Sequence, residues 1–89
     1  MRENQREILG LDGYQVLIQV LVLTSILDIK KCLDSGEIKP QKRQDIKNDI
    51  YFLESLDFSW LVFAGFSNPH YIQKIIKEVL KIKEQDYFK

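Results

Sequence analysis

The 89-residue sequence has very little cysteine, a single residue at position 32. One thiol cannot form a disulfide within the chain, whereas small secreted domains usually depend on several disulfides. The first seven residues are also too acidic for a secretory signal, and no small-residue cleavage site follows an apolar stretch. The sequence therefore predicts a protein of a reducing compartment, the cytoplasm.

The chain has no excess of charge of either sign, because thirteen basic residues balance thirteen acidic ones. Nucleic-acid-binding domains and proteins that bind anionic membranes usually show a basic excess. The sequence also lacks a long hydrophobic run. Its longest apolar stretch, residues 16–29, is too short and too interrupted by polar residues to cross a bilayer. We therefore expect no membrane-spanning segment.

Groups that support catalysis are scarce. His70 is the only histidine, and no further His or Cys lies near it at metal-ligand spacing. Cys32 would be a nucleophile only beside His70, and a lone cysteine on an apolar segment is more typical of a core. Asp45 and Asp49 share a helix face, but neighbouring lysines favour a solvated surface there. Four dispersed glycines form no phosphate loop. We expect no catalytic residue, metal or cofactor, and predict that the protein is not an enzyme.

Hydrophobic residues form 45% of the chain, which is typical of a folded protein, and 89 residues leave room for one domain. We predict a single helical domain over residues 1–89, with residues 1–11 as a flexible arm or a short helix. Residues 14–33 contain neither proline nor glycine. Their length favours a helix, because strands seldom exceed about ten residues.

Residues of the types that begin and end helices divide the rest of the chain. Aspartate and asparagine are preferred N-caps, proline suits the first turn, and glycine often follows the last turn. Asp12 and Gly36 bound the first predicted helix, and Asn68 and Pro69 precede a helix to about residue 86. Pro40 opens a segment that runs to Gly65, either as one continuous helix or with a second helix over residues 58–64 that Asp57 caps. These signals predict an all-α fold, a compact bundle of three to four helices with residues 14–33 at its centre.

A small α+β fold is the structural alternative. Val16, Ile18 and Val20 alternate as β-branched residues do in a strand, and residues 58–66 are rich in aromatic and β-branched residues. The runner-up prediction is a two-stranded hairpin made from residues 14–23 and 58–66.

The segment at 14–33 is apolar almost all around a helical wheel, and such a helix must be covered on almost every side. A chain this short has few other helices to offer. We therefore predict a homo-oligomer, most simply a dimer, or a tight complex with another protein. The competing hypothesis is that Ile8, Leu9 and Leu11 fold back and close the core of a monomer.

Seven of the ten aromatic residues lie between positions 51 and 71. Aromatic side chains are enriched at the centres of protein interfaces, although they also fill small cores. The candidate protein-binding residues are Tyr51, Phe58, Trp60, Phe63, Phe66 and Tyr71. They favour a non-enzymatic protein-binding module, a small regulator or inhibitor that acts through an apolar and aromatic surface.

The alternative function uses the basic segment at residues 30–47, which holds six basic and three acidic residues. A turn of this kind between two helices can contact phosphates, which predicts a small nucleic-acid-associated regulator. Its candidate phosphate contacts are Lys39, Lys42, Arg43 and Lys47. The small basic excess favours a plainer interpretation of the same residues, a solvated loop and helix start.

Overall fold

The structure, a computed structural model, describes residues 13–89. This part of the chain forms four α-helices and two 3₁₀ turns and contains no strand, which confirms the predicted all-α class. The helices are α1 (Gly13–Ser35), α2 (Arg43–Ser55), α3 (Phe58–Phe63) and α4 (Pro69–Val79), and the 3₁₀ turns are Pro40–Lys42 and Leu80–Glu84. The hairpin alternative is wrong, because α1 contains residues 14–23 and α3 occupies most of residues 58–66.

The capping residues act as the sequence predicts. Asp57 accepts a hydrogen bond from the Trp60 amide at 3.0 Å, and Asn68 accepts one from the Tyr71 amide at 3.1 Å. Two glycines follow helices with positive φ, Gly36 at 74° and Gly65 at 82°, a conformation that side chains with a Cβ adopt reluctantly. The predictions for Asp12, for residues 1–11 and for closure by Ile8, Leu9 and Leu11 lie outside the described residues.

Two helix boundaries differ from the prediction. Pro40 opens a 3₁₀ turn rather than an α-helix, and α2 begins at Arg43; neither N-cap residue, Lys39 or Lys42, makes a side-chain capping hydrogen bond. At the other end, α4 stops at Val79 and continues as a 3₁₀ turn. Tighter i to i+3 hydrogen bonds are common where a helix ends, and they satisfy its last carbonyl groups.

The core lies between one side of α1 and the inner faces of α2, α4 and the Leu80–Glu84 turn. Its largest fully buried side chains come from α1, α2, α3 and the Leu80–Glu84 turn: Val22, Ile29, Leu53, Leu61 and Ile82. Helix α1 is thus the central element in the sense that most other elements pack on it. Among residues 13–89, however, they cover it on one side only, so this part of the chain does not surround it.

Candidate protein-binding surface

The side of α1 that residues 13–89 leave uncovered forms an apolar surface, interrupted only by the exposed side chain of Thr24, and we call it the α1 apolar face. Its side chains are between 44% and 56% exposed. They share the side of the helix opposite buried Val22, Ile26 and Ile29, as the 3.6-residue period requires. The members are Tyr14, Val16, Leu17, Val20, Leu21, Leu23 and Leu27. Residues 13–27 contain no charged residue at all.

The last third of α1 has a different surface. Lys30, Lys31 and Asp34 are exposed there, so the outer side of the helix becomes charged after Leu27. On its inner side this part of α1 packs against α2, where Ser25 donates a hydrogen bond to Asp49 at 3.1 Å. The change from an apolar to a charged surface defines the C-terminal limit of the α1 apolar face.

Two glutamines fasten α3 to the beginning of α1. Gln15 donates from Nε2 to the Phe63 carbonyl at 2.9 Å, and Gln19 donates to the Ala64 carbonyl at 2.6 Å. These carbonyls lie at the C-terminal end of α3, where helical acceptors lack partners within the helix. The glutamines therefore stabilise that end of α3 and hold it beside the apolar face.

An open pocket of about 400 Å³ lies where α3 meets α1, and we call it the aromatic pocket. Tyr14, Asp57, Ser59, Trp60 and Phe63 line it. The rings of Trp60 and Phe63 pack edge to face, with centroids 5.9 Å apart and an interplanar angle of 85°. Sequence reasoning found these two residues but missed Tyr14, because its membership depends on how α3 docks and not on spacing along the chain.

The other four aromatic candidates do not line this pocket. Phe58 packs on the His70 ring at a centroid distance of 4.5 Å, and Phe66 is half-buried against the core. Tyr51 is 78% exposed on α2, and Tyr71 is exposed on the first turn of α4. The structure thus brings together only Trp60 and Phe63 from the predicted aromatic set.

The basic candidates are also separated. The Arg43 guanidinium donates to the carbonyls of Tyr87, Phe88 and Lys89 and lies 5.7 Å from the centroid of the Phe88 ring, so it is engaged within the chain. Lys47 is exposed on α2.

Lys39 and Lys42 line an open pocket of about 500 Å³ between α1 and the start of α2. Carboxylates of Asp28, Glu37 and Asp45 line the same pocket. They weaken the attraction of the two lysines for a phosphate, because opposite charges are close by.

Asp49 and Cys32 lie at the junction of α1 and α2. Burial raises the pKa of the Asp49 carboxyl, the Ser25 hydrogen bond opposes this, and the negative charge of Asp28 adds to the rise. Asp49 Oδ2 has no hydrogen-bond partner among the described residues. Burial likewise raises the pKa of the Cys32 thiol, with Asp28 and Asp49 adding to the effect, so the thiolate is disfavoured.

Residues 13–89 contain no group of three His, Cys, Asp or Glu side chains that could hold a metal ion. Within the same range, no helix is both long enough and apolar enough to cross a membrane. Comparison of the chain with protein-family models, with curated proteins and with solved structures found no match. The function of the chain must therefore be inferred from its own surface chemistry.

Proposed function

We propose that the chain is a non-enzymatic protein-binding module that acts through the α1 apolar face, and that its first partner is a second copy of itself. The observation that carries this proposal is the run of seven half-exposed apolar side chains over residues 14–27, without one charge among them. Single exposed apolar residues are ordinary on protein surfaces, whereas a contiguous patch marks an interaction site.

The size of the face suits a dimer. At half exposure, its seven side chains offer on the order of 600 Å² of apolar surface, which is most of the roughly 800 Å² that each partner buries in a standard interface. Covering surface of this kind recovers free energy at about 25 cal/mol per Å². A second copy presents the same area, and twofold dimers are the commonest oligomers.

The spacing of the face favours helix-to-helix packing. Val16, Val20, Leu23 and Leu27 follow one another at intervals of four, three and four residues, the spacing of a coiled-coil seam. An antiparallel pair places Val16 opposite Leu27 of the second copy. It also keeps the charged last thirds of the two α1 helices apart, whereas a parallel pair brings Lys30 and Lys31 against the same residues of the other copy.

The absence of an enzymatic role remains part of the proposal, and two observations support it. Burial raises the pKa of the Cys32 thiol and so disfavours the thiolate, and His70 packs on the Phe58 ring. Among the described residues, no hydrogen bond joins these two side chains, which would have to form a nucleophile and its base. A regulator or inhibitor role fits the same face, because self-association and binding of another protein would compete for it.

Substitution of Val20 by lysine tests the proposal. Val20 is 52% exposed, and lysine is the better helix former, so a single chain should keep its fold and stability. A lysine in the middle of an apolar interface is costly, so size-exclusion chromatography with light scattering should show the wild type as a dimer and Val20→Lys as a monomer. Asn48→Lys, an exposed site on α2, is the control and should remain dimeric. Equal masses for all three proteins would reject the interface.

Disulfide cross-linking tests the orientation in a Cys32→Ala background. An equal mixture of Val16→Cys and Leu27→Cys proteins should cross-link to each other under oxidation, while Val16→Cys alone should not. Efficient cross-linking of Val16→Cys to itself would show a parallel pair and refute the antiparallel arrangement.

A further inference from the structure

We propose that the aromatic pocket binds an alkylammonium group, either the head group of a small quaternary ammonium compound or the side chain of a lysine. This ligand site shares Tyr14 with the α1 apolar face, and its other lining residues lie outside that face. The observations that carry it are the arrangement of three exposed aromatic rings and the charge of the carboxylate among them.

The aromatic walls of the pocket have the geometry that a soft cation needs. The Trp60 and Phe63 rings stand at 85° to each other, so they form a corner, and Tyr14 supplies a third aromatic side chain. These three residues are 46%, 49% and 56% exposed, so a ligand can reach them. A cation within about 6 Å of an aromatic centroid is attracted by the negative face of the ring, and tryptophan is the strongest partner.

The charge of the pocket matches a cation. Asp57 is its charged lining residue, and the hydrogen bond from the Trp60 amide holds the Asp57 carboxylate at the pocket edge. No Lys or Arg lines the pocket among the described residues. The local potential therefore favours positive over negative ligands.

Other ligand classes fit this chemistry less well. A hard metal ion such as Ca²⁺ requires six to eight oxygen ligands, and the pocket offers one carboxylate with a serine and a tyrosine hydroxyl. A neutral apolar group gains from the rings but does not compensate the negative charge of the Asp57 carboxylate. An alkylammonium group uses both, because its carbon atoms pack on the rings while its charge faces Asp57.

The direct test compares choline with 3,3-dimethyl-1-butanol, its neutral isostere with carbon in place of nitrogen. Trp60 is the only tryptophan in the chain, so its fluorescence reports binding at the pocket alone. We expect choline to change Trp60 emission with a millimolar Kd and the isostere to bind roughly fivefold or more weakly. Equal binding of the two compounds, or no change in emission up to about 100 mM choline, would overturn the proposal.

Three variants locate the effect. Asp57→Asn retains an N-cap residue of equal quality and removes the charge, so α3 should persist while choline binding weakens roughly fivefold. Phe63→Leu retains an apolar side chain and removes an aromatic wall, with a similar expected loss. Tyr51→Leu removes an exposed aromatic residue outside the pocket and should leave the Kd unchanged. Far-UV circular dichroism establishes that each variant is folded, and an unchanged Kd in both pocket variants would refute the assignment.

The two ligand sources are separated by titrating Nα-acetyl-lysine amide and its trimethylated form beside choline. Tighter binding of a lysine compound assigns the pocket to a protein side chain, and equal or tighter binding of choline assigns it to a small molecule. Failure of every cation would remove this site but leave the α1 apolar face untouched, since the molecular mass of Val20→Lys does not depend on choline.

Discussion

The two ends of α1 differ in the way that the chain covers them. From Ser25 onward the helix packs against α2, buries Ile26 and Ile29, and presents lysines and aspartates to solvent. Before Leu23, only Val22 is fully buried, and the outer side is entirely apolar. The outer side of α1 is therefore a charged, solvated surface at the C-terminal end of the helix and an exposed apolar surface at the N-terminal end.

The largest effect is expected from a pair of alanine substitutions two residues apart. Ile29 is completely buried, so Ile29→Ala should lower the free energy of unfolding by about 2–5 kcal/mol through lost packing and a new cavity. Leu27 is 55% exposed, so Leu27→Ala should cost less than about 0.5 kcal/mol in dilute protein.

Urea denaturation of the two variants at two protein concentrations tests whether the loss of unfolding free energy depends on dimer formation. If the α1 apolar face binds a second copy, the loss caused by Leu27→Ala should grow as the wild type becomes dimeric, because oligomer stability depends on concentration. A large loss for Leu27→Ala in dilute protein would mean that this side of α1 is already covered within one chain.

A smaller effect is expected where α3 is attached to α1. Gln19→Ala removes the hydrogen bond to the Ala64 carbonyl, which should lower the free energy of unfolding by roughly 1 kcal/mol and alter Trp60 fluorescence as α3 loosens. Gln44→Ala is the matched control, because Gln44 bonds only an exposed side chain on its own helix. Equal losses for both variants would show that the glutamine contact does not fix α3.

The smallest effect is expected at Asp49, which lies on α2 and accepts a hydrogen bond from Ser25 of α1. Because burial raises its pKa, folding favours the protonated carboxyl, and stability should fall as pH rises from the ordinary aspartate value through the raised one. Asp49→Asn should therefore be more stable than the wild type at pH 7, and this advantage should shrink as pH falls through the raised pKa and be lost below about pH 4. Thermal melts across this range measure it, with exposed Asp86→Asn as the control. A pH-independent difference would contradict this account of Asp49.

The sequence predicted the helices better than the surfaces. Asp57, Asn68 and Gly65 marked helix ends correctly, because capping is a local interaction between residues close in the chain. The length of residues 14–33 correctly outweighed their β-branched alternation.

Which side of α1 is covered depends on contacts distant in sequence, such as Gln15 with Phe63 and Ser25 with Asp49. The hydrophobic pattern of residues 14–27 does not indicate which side of the helix is covered, since the segment is apolar on nearly all sides. The aromatic pocket remained hidden for the same reason, because Tyr14 meets Trp60 and Phe63 only after α3 docks. Arg43 was a candidate phosphate contact until its carbonyl partners at residues 87–89 were known.

Analytical ultracentrifugation of the wild type from low to high micromolar concentration tests the central claim most directly. If the α1 apolar face binds a second copy, the molecular mass should rise from 10.5 kDa toward twice that value. Binding of a hydrophobic dye should fall as the dimer forms, because the exposed apolar surface is then covered. A single 10.5 kDa species at high micromolar concentration that binds no dye would contradict the account, because the α1 apolar face would then be covered within the monomer.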